Sequence, residues 1–322
     1  MVKLANTETA AQKKATRAAY GATLAELAAE GVPVVAVDAD LTGSTTTKKL
    51  ADAGYAGRLF NCGIAEQNMI DVAAGLSLAG NIAFTGSFAV FGTGRAYDQI
   101  RNTVCYSNLD VKICPTHAGV SVGPDGGSHQ MLEDVSLMRG LPNMRVLVPA
   151  DYAAARAAIK LAAKTPGPVY VRMGRAAVPC VYDDDVELEL GRAYVLREGS
   201  DATVVACGVE IREALAAADM LAEEGVSIEV IDAFSVKPLD EDTITASVAK
   251  TGCCVVAEEH SVHGGLGSAV AECLARKNPA PCEFVGVQDR FGKSGEFEEL
   301  LGYFNLDAAA TVEAVKRARG RK

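Results

Sequence analysis

The residues most able to do chemistry lie in the stretch Asn61-Cys-Gly-Ile-Ala-Glu-Gln-Asn-Met69, a short polar turn that runs into an apolar helix. Glu66 falls in the first turn of that helix, and after Asp71 no charged side chain appears until Arg95. Such an uncharged segment favours a buried helix over a surface helix. Glu66 is then either a first-turn acid that helps to cap the helix or a buried carboxylate that requires a partner, because an unpaired buried charge is too costly.

A glycine-rich loop carries two of the four histidines of the chain, His117 and His129. It reads Thr116-His-Ala-Gly-Val-Ser-Val-Gly-Pro-Asp-Gly-Gly-Ser-His-Gln130, with Asp125 between the histidines. Small residues let a ligand approach the backbone closely, and histidine can exchange protons near neutral pH. A metal site is the competing interpretation, but a separation of twelve residues matches no common ligand spacing. The loop therefore predicts a small-molecule site, and no metal site is predicted on this chain.

The elements that must position these side chains alternate between short apolar strands and helices. In the first half, strands are predicted at residues 34–38, 82–84, 111–114, 145–148 and 169–172, and helices at 8–29, 66–79, 131–139 and 151–163. This alternation indicates a parallel sheet covered on both faces. Ligands bind at the carboxyl ends of the strands in such sheets. The unusual polar residues of the first half gather there: Asp40, Ser44, Glu66, His117, Asp125, His129 and Arg175.

An acidic run, Asp183-Asp-Asp-Val-Glu-Leu-Glu189, separates this half from a second one that repeats the pattern more compactly. The run is interpreted as a solvated linker over residues 183–192. Beyond it, strands are predicted at residues 203–207, 227–231, 253–257 and 284–285, and helices at 210–224, 240–250 and 308–319. The predicted fold class is α/β with two domains, residues 1–182 and 193–322, each a mainly parallel sheet covered by helices.

Composition excludes several classes of protein. The 322 residues are 49% hydrophobic and 22% charged, which is enough for two packed domains. A net charge of −10 argues against a general nucleic-acid binder. Nine cysteines, an odd number that lies mostly in apolar runs, indicate buried thiols in a reducing cytoplasm. Because no signal core or membrane-spanning run is visible, we expect a soluble cytoplasmic protein with no membrane partner.

Four motifs occur in order: Cys62-Gly-Ile-Ala-Glu-Gln-Asn-Met69, Gly86-Ser-Phe-Ala-Val-Phe91, Arg95-Ala-Tyr-Asp-Gln99 and Val122-Gly-Pro-Asp-Gly-Gly-Ser-His-Gln130. Together they resemble the pyrimidine-binding domain of transketolase. The later run Glu258-Glu-His-Ser-Val-His-Gly-Gly-Leu-Gly267 resembles the transketolase C-terminal domain. Full-length transketolases place a diphosphate-binding domain with a Gly-Asp-Gly signature ahead of these two, and this sequence has no such signature. The chain is therefore identified as a C-terminal subunit of a split, two-chain transketolase.

The resemblance implies thiamine diphosphate as the cofactor and transfer of a two-carbon ketol unit from a ketose phosphate to an aldose phosphate. Glu66 would hydrogen-bond N1′ of the aminopyrimidine and so activate the cofactor, a role that requires a buried carboxyl group. Phe88 and Phe91 would form the apolar wall beside the pyrimidine, although their spacing fits ordinary core aromatics equally well. Asp40 matches a family position near the cofactor at the subunit contact.

The same resemblance implies substrate contacts. His117, His129 and Asp125 match positions that contact the sugar hydroxyls, and the two histidines would assist proton transfer. Three residues match positions that bind the substrate phosphate, for which an arginine fork suits the geometry better than lysine: Arg175, Arg17 and Ser44. Without the resemblance, Arg17 reads as a surface helix residue.

Two positions depart from the family pattern. Gly94 stands where a tyrosine would extend the pyrimidine wall, so we expect that surface to be completed from elsewhere. Gln67 stands where a histidine usually follows the catalytic glutamate. Neither change touches the predicted role of Glu66.

The resemblance also implies partners. Half of the cofactor site, with the Mg²⁺ ligands, would lie on a separate N-terminal subunit, and pyrimidine-binding domains would pair across a two-fold axis in an α2β2 complex. Three alternatives stay open: a 1-deoxyxylulose-5-phosphate synthase-like enzyme, the β subunit of a 2-oxoacid dehydrogenase decarboxylase, and a non-catalytic interaction subunit. Retention of Glu66, Asp125 and both loop histidines argues against the last.

Overall fold

Apolar runs rich in valine and isoleucine form most of the strands, because a strand covered on both faces must be apolar throughout. The structure, a computed structural model, describes residues 2–322. Its strands are β1 (Lys13–Ala15), β2 (Val34–Asp38), β3 (Leu59–Asn61), β4 (Ile82–Gly86), β5 (Val111–Ile113), β6 (Arg145–Leu147), β7 (Val169–Val171), β8 (Ala177–Pro179), β9 (Tyr194–Arg197), β10 (Ala202–Ala206), β11 (Ile228–Asp232), β12 (Ser235–Lys237), β13 (Cys254–Ser261) and β14 (Cys282–Val287).

The helices fill the intervals between the strands. The α-helices are α1 (Thr7–Ala10), α2 (Thr16–Ala29), α3 (Thr42–Thr45), α4 (Lys48–Leu50), α5 (Glu66–Leu78), α6 (Tyr97–Gln99), α7 (Asp134–Arg139), α8 (Tyr152–Lys164), α9 (Glu210–Glu223), α10 (Glu241–Thr251), α11 (Leu266–Lys277), α12 (Phe297–Phe304) and α13 (Ala308–Arg319). Wider π-helical turns lie at Ala51–Tyr55, Val90–Arg95 and Ile100–Tyr106, and tighter 3₁₀ turns at Ala56–Arg58 and Val120–Asp125. Within residues 2–322, no helix has both the length and the apolar character to cross a membrane.

Two sheets organise the chain. The first has the strand order β12-β6-β7-β5-β4-β2-β3 and is parallel except at β12. The second has the order β14-β13-β10-β11-β9 and is parallel except at β9. The predicted fold class, two mainly parallel sheets covered by helices, is confirmed.

The two halves of the chain share the first sheet. Strand β12 comes from beyond the acidic run, yet it pairs antiparallel with β6, with Ser235 opposite Leu147. Three residues give no periodic signal, so the sequence predicted no strand there. Strand β12 therefore ties the second half of the chain to the first sheet.

Two predicted helices begin later than expected. The helix predicted over residues 8–29 is interrupted by β1, which pairs antiparallel with β8 and leaves α2 to begin at Thr16. The helix predicted from residue 131 begins at Asp134, because Met131 instead forms a β-bridge with Ala118. In both places a tertiary strand pairing overrides local helix propensity.

The acidic run is not the fully solvated linker that the sequence suggested. Its carboxylates at Asp184, Asp185 and Glu187 are exposed, but Val186 and Leu188 between and beside them are buried in the main core. The alternation of acid and aliphatic residues anchors the connection to the domains, because the aliphatic side chains turn inward while the charges remain in water.

Buried polar groups join the two domains. The Tyr182 hydroxyl donates to Asp232 Oδ2 at 2.6 Å, which links the end of the first half to β11. Arg172, just after β7, donates from Nε to Asp134 Oδ2 at 2.7 Å and from Nη2 to the Glu259 carbonyl at 2.9 Å. The domain contact is thus held by directional bonds as well as by apolar packing.

Candidate functional site

The parallel strands of the first sheet end at one edge, and the predicted site residues follow those ends. Asp40 and Ser44 follow β2, Glu66 follows β3, Phe88 and Phe91 follow β4, His117, Asp125 and His129 follow β5, and Arg175 follows β7. Arg17 joins the same edge from the first turn of α2, where its Nη1 donates to the Ser44 carbonyl at 2.8 Å.

Glu66 is the first residue of α5 and its side chain is only 2% exposed. Arg95 provides the partner that a buried carboxylate requires, since its Nη1 donates to Glu66 Oε2 at 2.8 Å. The Arg95 side chain itself is half exposed, so the ion pair reaches from the interior to the surface. Sequence reasoning missed this pair, although Arg95 is the first charged residue after Asp71 and was therefore the natural candidate.

Helix α5 is buried on one face only, which corrects the expectation of a buried helix. Glu66, Met69, Ile70, Ala73 and Ala74 form the buried face. The opposite face is exposed and includes Gln67, Asn68, Asp71, Gly75 and Leu78. Small and uncharged residues made the helix look internal, but in the single chain the exposed face, with Leu78 at 75% exposure, has nothing packed against it.

Four rings form one aromatic cluster beside the Glu66–Arg95 pair. Phe88 stacks on His117 with ring centroids 3.8 Å apart and on Phe91 at 6.2 Å. His129 presents its edge to Phe91 at 5.4 Å. The structure therefore brings together the two predicted wall residues and both loop histidines, with Phe88 paired to each of the other three rings. Phe91 comes from the π-helical turn Val90–Arg95.

Arg95 also lies over the aromatic cluster, next to the position where the family pattern has a tyrosine. Its guanidinium carbon lies 4.5 Å from the centre of the Phe91 ring, a cation–π contact. Gly94, the residue that replaces the tyrosine, leaves open space, because a Cβ there would meet only Met131 Cε at 3.9 Å. A guanidinium plane thus covers the ring beside the open position at residue 94.

His117 is held in an unusual conformation. Its backbone φ is 62°, a left-handed value that is uncommon outside glycine, and its Nδ1 lies 2.7 Å from Thr116 Oγ1. Burial, with further contributions from Arg17, Arg175 and His129, lowers the pKa of His117 to about 3. The ring is therefore neutral at physiological pH, and it can donate one hydrogen bond and accept another.

We expect the ring signals of His117 in histidine-labelled protein to show no titration between about pH 5 and 8. Since the pKa is lowered in the folded chain, this histidine contributes full stability above the unfolded value near 6.5, and the contribution is lost as the pH falls toward 3. NMR of the chain, with His117→Gln for assignment and the urea-unfolded chain as reference, measures this. A titration midpoint near 6.5 in the folded chain would contradict the buried, neutral ring.

Arg17 and Arg175 form a cationic patch near His117. Arg17 donates to the Ser44 carbonyl, and Arg175 Nη1 donates to the Val122 carbonyl at 3.1 Å. Within residues 2–322 neither guanidinium forms an ion pair with a carboxylate. Burial and the neighbouring charge of Arg175 lower the pKa of Arg17, while Asp125 acts in the opposite direction. Two cations, of which one lowers the proton affinity of the other and neither has a carboxylate partner among the described residues, create a favourable place for an anion.

Asp40 lies apart from these residues. Its backbone has a φ of 64°, and it pairs with Asn61, whose Oδ1 accepts from the Asp40 amide at 3.1 Å and whose Nδ2 donates to Asp40 Oδ1 at 3.3 Å. This exposed pair begins the turn that leads to Glu66. The structure therefore connects Asp40 to the segment that leads to Glu66, and among the described residues Asp40 forms no hydrogen bond with the aromatic cluster.

Comparison with known proteins identifies both domains. A family model described as the transketolase pyrimidine binding domain matches residues 12–181, and one described as the transketolase C-terminal domain matches residues 191–310. Within the described chain, no group of three or more histidine, cysteine or acidic side chains is arranged to hold a metal ion.

Individual relatives match along almost their whole length. A putative transketolase C-terminal section of Methanocaldococcus jannaschii is 44% identical over 94% of this chain and 95% of its own. A 6-deoxy-6-sulfo-D-fructose transketolase subunit of a Clostridium species is 42% identical over 95% of each chain. A solved split-gene transketolase, described as an inactive β4 tetramer, superposes with a TM-score of 0.88 at 49% identity, over 97% of this chain and 100% of its own. The chain belongs to the transketolase family, and its pyrimidine-binding and C-terminal domains are those of a split-gene transketolase subunit.

Proposed function

We propose that this chain, together with a separate diphosphate-binding subunit, transfers a two-carbon ketol unit from an anionic ketose to an aldose phosphate. The observation that carries the proposal is the buried carboxylate of Glu66 beside the aromatic cluster of Phe88, Phe91, His117 and His129. Transketolases as a family depend on thiamine diphosphate, which supplies a nucleophilic carbon for the ketol transfer.

The residues at the strand ends suit the pyrimidine half of that cofactor. A carboxylate can accept several hydrogen bonds, so Glu66 keeps capacity for a ring nitrogen while Oε2 accepts from Arg95. Phe88 and Phe91 supply apolar faces, and the space at Gly94 lies beside them. Following the resemblance, the diphosphate and Mg²⁺ are assigned to the partner subunit, and Asp40 to the rim of the cofactor site.

Each remaining residue has a role that its chemistry supports. Glu66 holds a proton at the cofactor ring nitrogen. His117, neutral in its buried position, and His129 bind sugar hydroxyls and move protons to and from them, with Asp125 as an acceptor. Arg17 and Arg175, with Ser44, bind the terminal anion of the sugar, because each guanidinium donates to a backbone carbonyl and, within residues 2–322, neither forms an ion pair with a carboxylate.

The exposed face of α5 supports association with other chains. Leu78 on this face and Ile64 just before the helix are apolar side chains that are 75% and 78% exposed. We place the pairing of pyrimidine-binding domains in an α2β2 complex on this face. Nine free cysteines, most of them buried, suit the reducing cytoplasm to which we assign the protein.

Ketol transfer should appear only when both subunits are present. The assay uses xylulose 5-phosphate and ribose 5-phosphate with thiamine diphosphate and Mg²⁺, on this chain alone and with the diphosphate-binding subunit from the same genome. A second donor, 6-deoxy-6-sulfo-D-fructose, tests whether the arginine patch takes a sulfonate, as the substrate named for the Clostridium relative suggests. Oxidation of pyruvate without any ketol transfer would contradict the proposal in favour of the 2-oxoacid class.

A further inference from the structure

The loop that carries both site histidines (the histidine loop, residues 116–130) belongs to the first domain but rests on the second. At its far end, Gln130 Nε2 donates to the Lys293 carbonyl at 2.9 Å, and the Lys293 amide donates to Gln130 Oε1 at 2.8 Å. Near its start, the segment from Gly119 to Ser121 lies against the end of β13. A loop of glycines and small residues has little stiffness of its own, so these contacts decide its conformation.

The contact near the start is made by one carboxylate, that of Glu259. The Ser121 amide donates to Glu259 Oε1, and Ser121 Oγ lies 3.2 Å from Oε2. The carboxylate fills the space above Gly119, where a Cβ would lie 2.2 Å from Glu259 Cδ. Gly119 also has a φ of 81°, so the position excludes side chains for two independent reasons.

Burying the carboxylate of Glu259 costs solvation free energy, and contacts within its own domain do not offset that cost. Its side chain is 4% exposed, and the nearest cation, Arg172, is 4.0 Å from Oε2 and already bonded to Asp134. Burial raises the pKa of Glu259 to about 7, although Arg172 and the two Ser121 contacts act in the opposite direction. A buried carboxylate whose pKa is raised in this way is a candidate for a functional role.

The neighbouring residue, Glu258, also has a buried carboxylate, but its contacts stay within its own domain. Glu258 is equally buried, but it accepts from the amides of Leu266 and Gly267 at 2.7 and 2.8 Å and so caps α11 within the second domain. Glu258 therefore stabilises its own domain, whereas Glu259 points across the domain boundary to the histidine loop.

We infer that Glu259 is a positioning residue of the second domain, which holds the histidine loop in the conformation that presents His117 and His129 to the sugar. The chain of contacts is short: Glu259 binds Ser121, Gly119 donates from its amide to the Met131 carbonyl at 2.9 Å, and Ala118 donates to the Met173 carbonyl at 3.1 Å. His117 directly precedes this anchored segment. The inference rests on the proposed function for what the loop binds, but not for how the loop is held.

The test has one readout that needs no partner. Hydrogen exchange measured by mass spectrometry on the full chain should show peptides from the histidine loop exchanging about ten- to a hundredfold faster in Glu259→Ala, since a buried hydrogen bond is lost. Glu259→Gln keeps an acceptor for the Ser121 amide and should restore most of the protection. Glu258→Ala is the matched control and should speed exchange in α11 without affecting the loop.

The second readout uses the assembled enzyme. Glu259→Ala should lower kcat/KM for the sugar substrates by about tenfold or more, with Glu259→Gln close to wild type. If Glu259→Ala does not fold, Glu259→Asp provides the same test, because the shorter side chain keeps the charge but withdraws the carboxylate from Ser121. Unchanged loop exchange, or faster exchange spread equally through both sheets, overturns the inference. Absence of ketol transfer in the wild-type complex would overturn the proposed function alone, because the exchange result does not depend on it.

Discussion

Glu66→Gln is expected to reduce ketol transfer in the two-subunit enzyme by about 10²- to 10⁴-fold. Glutamine keeps the shape of the side chain but carries no negative charge, so it cannot hold a proton at the cofactor ring nitrogen. The structural cost should be small. Arg95, which loses its ionic partner, is half exposed and can be solvated, so thermal unfolding should change little.

Glu187→Gln is the matched control for this substitution. It makes the same change from carboxylate to amide, but Glu187 is exposed in the acidic run, away from the site residues and from the exposed face of α5. The control should retain ketol transfer, and both variants should still assemble with the diphosphate-binding subunit in size-exclusion chromatography. Turnover of Glu66→Gln equal to that of Glu187→Gln would show that the charge of Glu66 has no part in the reaction.

Arg172→Met should destabilise the chain by about 3–5 kcal/mol, the largest stability effect that we expect. Arg172 is 7% exposed and Asp134 is fully buried, so removal of the guanidinium leaves a buried carboxylate without its cation. Burial alone would raise the pKa of Asp134, yet Arg172 holds it below the ordinary value. Tyr170, which donates to Asp134 Oδ2 at 2.5 Å, cannot replace the lost charge. Urea unfolding of the purified chain at pH 7 measures the difference.

Two further variants isolate the charge from the packing. In the double variant Arg172→Met with Asp134→Asn, the unpaired buried charge is gone, so part of the lost stability should return. Arg197→Met breaks an exposed pair with Asp219 at 2.5 Å and should cost less than about 1 kcal/mol. A cost for Arg172→Met as small as that for Arg197→Met would mean that the buried pair contributes no more than a surface pair.

Much of the architecture was readable from periodicity. The apolar runs that became β2, β5, β6 and β7 and the alternation with helices indicated a parallel sheet, because such strands are covered on both faces. Short elements with no periodic signal were missed, among them β9, β12 and α12. The prediction of a fully solvated linker at the acidic run was wrong, because it considered the charged side chains and not the aliphatic residues between them, which point inward.

For the candidate site too, some features were predictable from the sequence and others were not. Residue type and motif order singled out Glu66, the two phenylalanines and the histidine loop, and the family that they indicated is confirmed by the comparisons. The roles of these residues stay predictions. Their partners were not visible in the sequence: Arg95 for Glu66 lies 29 residues away, and Glu259 for Ser121 lies 138 residues away.

The sequence by itself therefore determined the fold class and the family, because local patterning and ordered motifs encode them, and it singled out the residues that we predict to carry the chemistry. Only the tertiary structure decided which groups pair, that His117 stacks on Phe88 and is neutral, and that the second domain supports the histidine loop. These properties depend on burial and on contacts between distant segments, which no local pattern records.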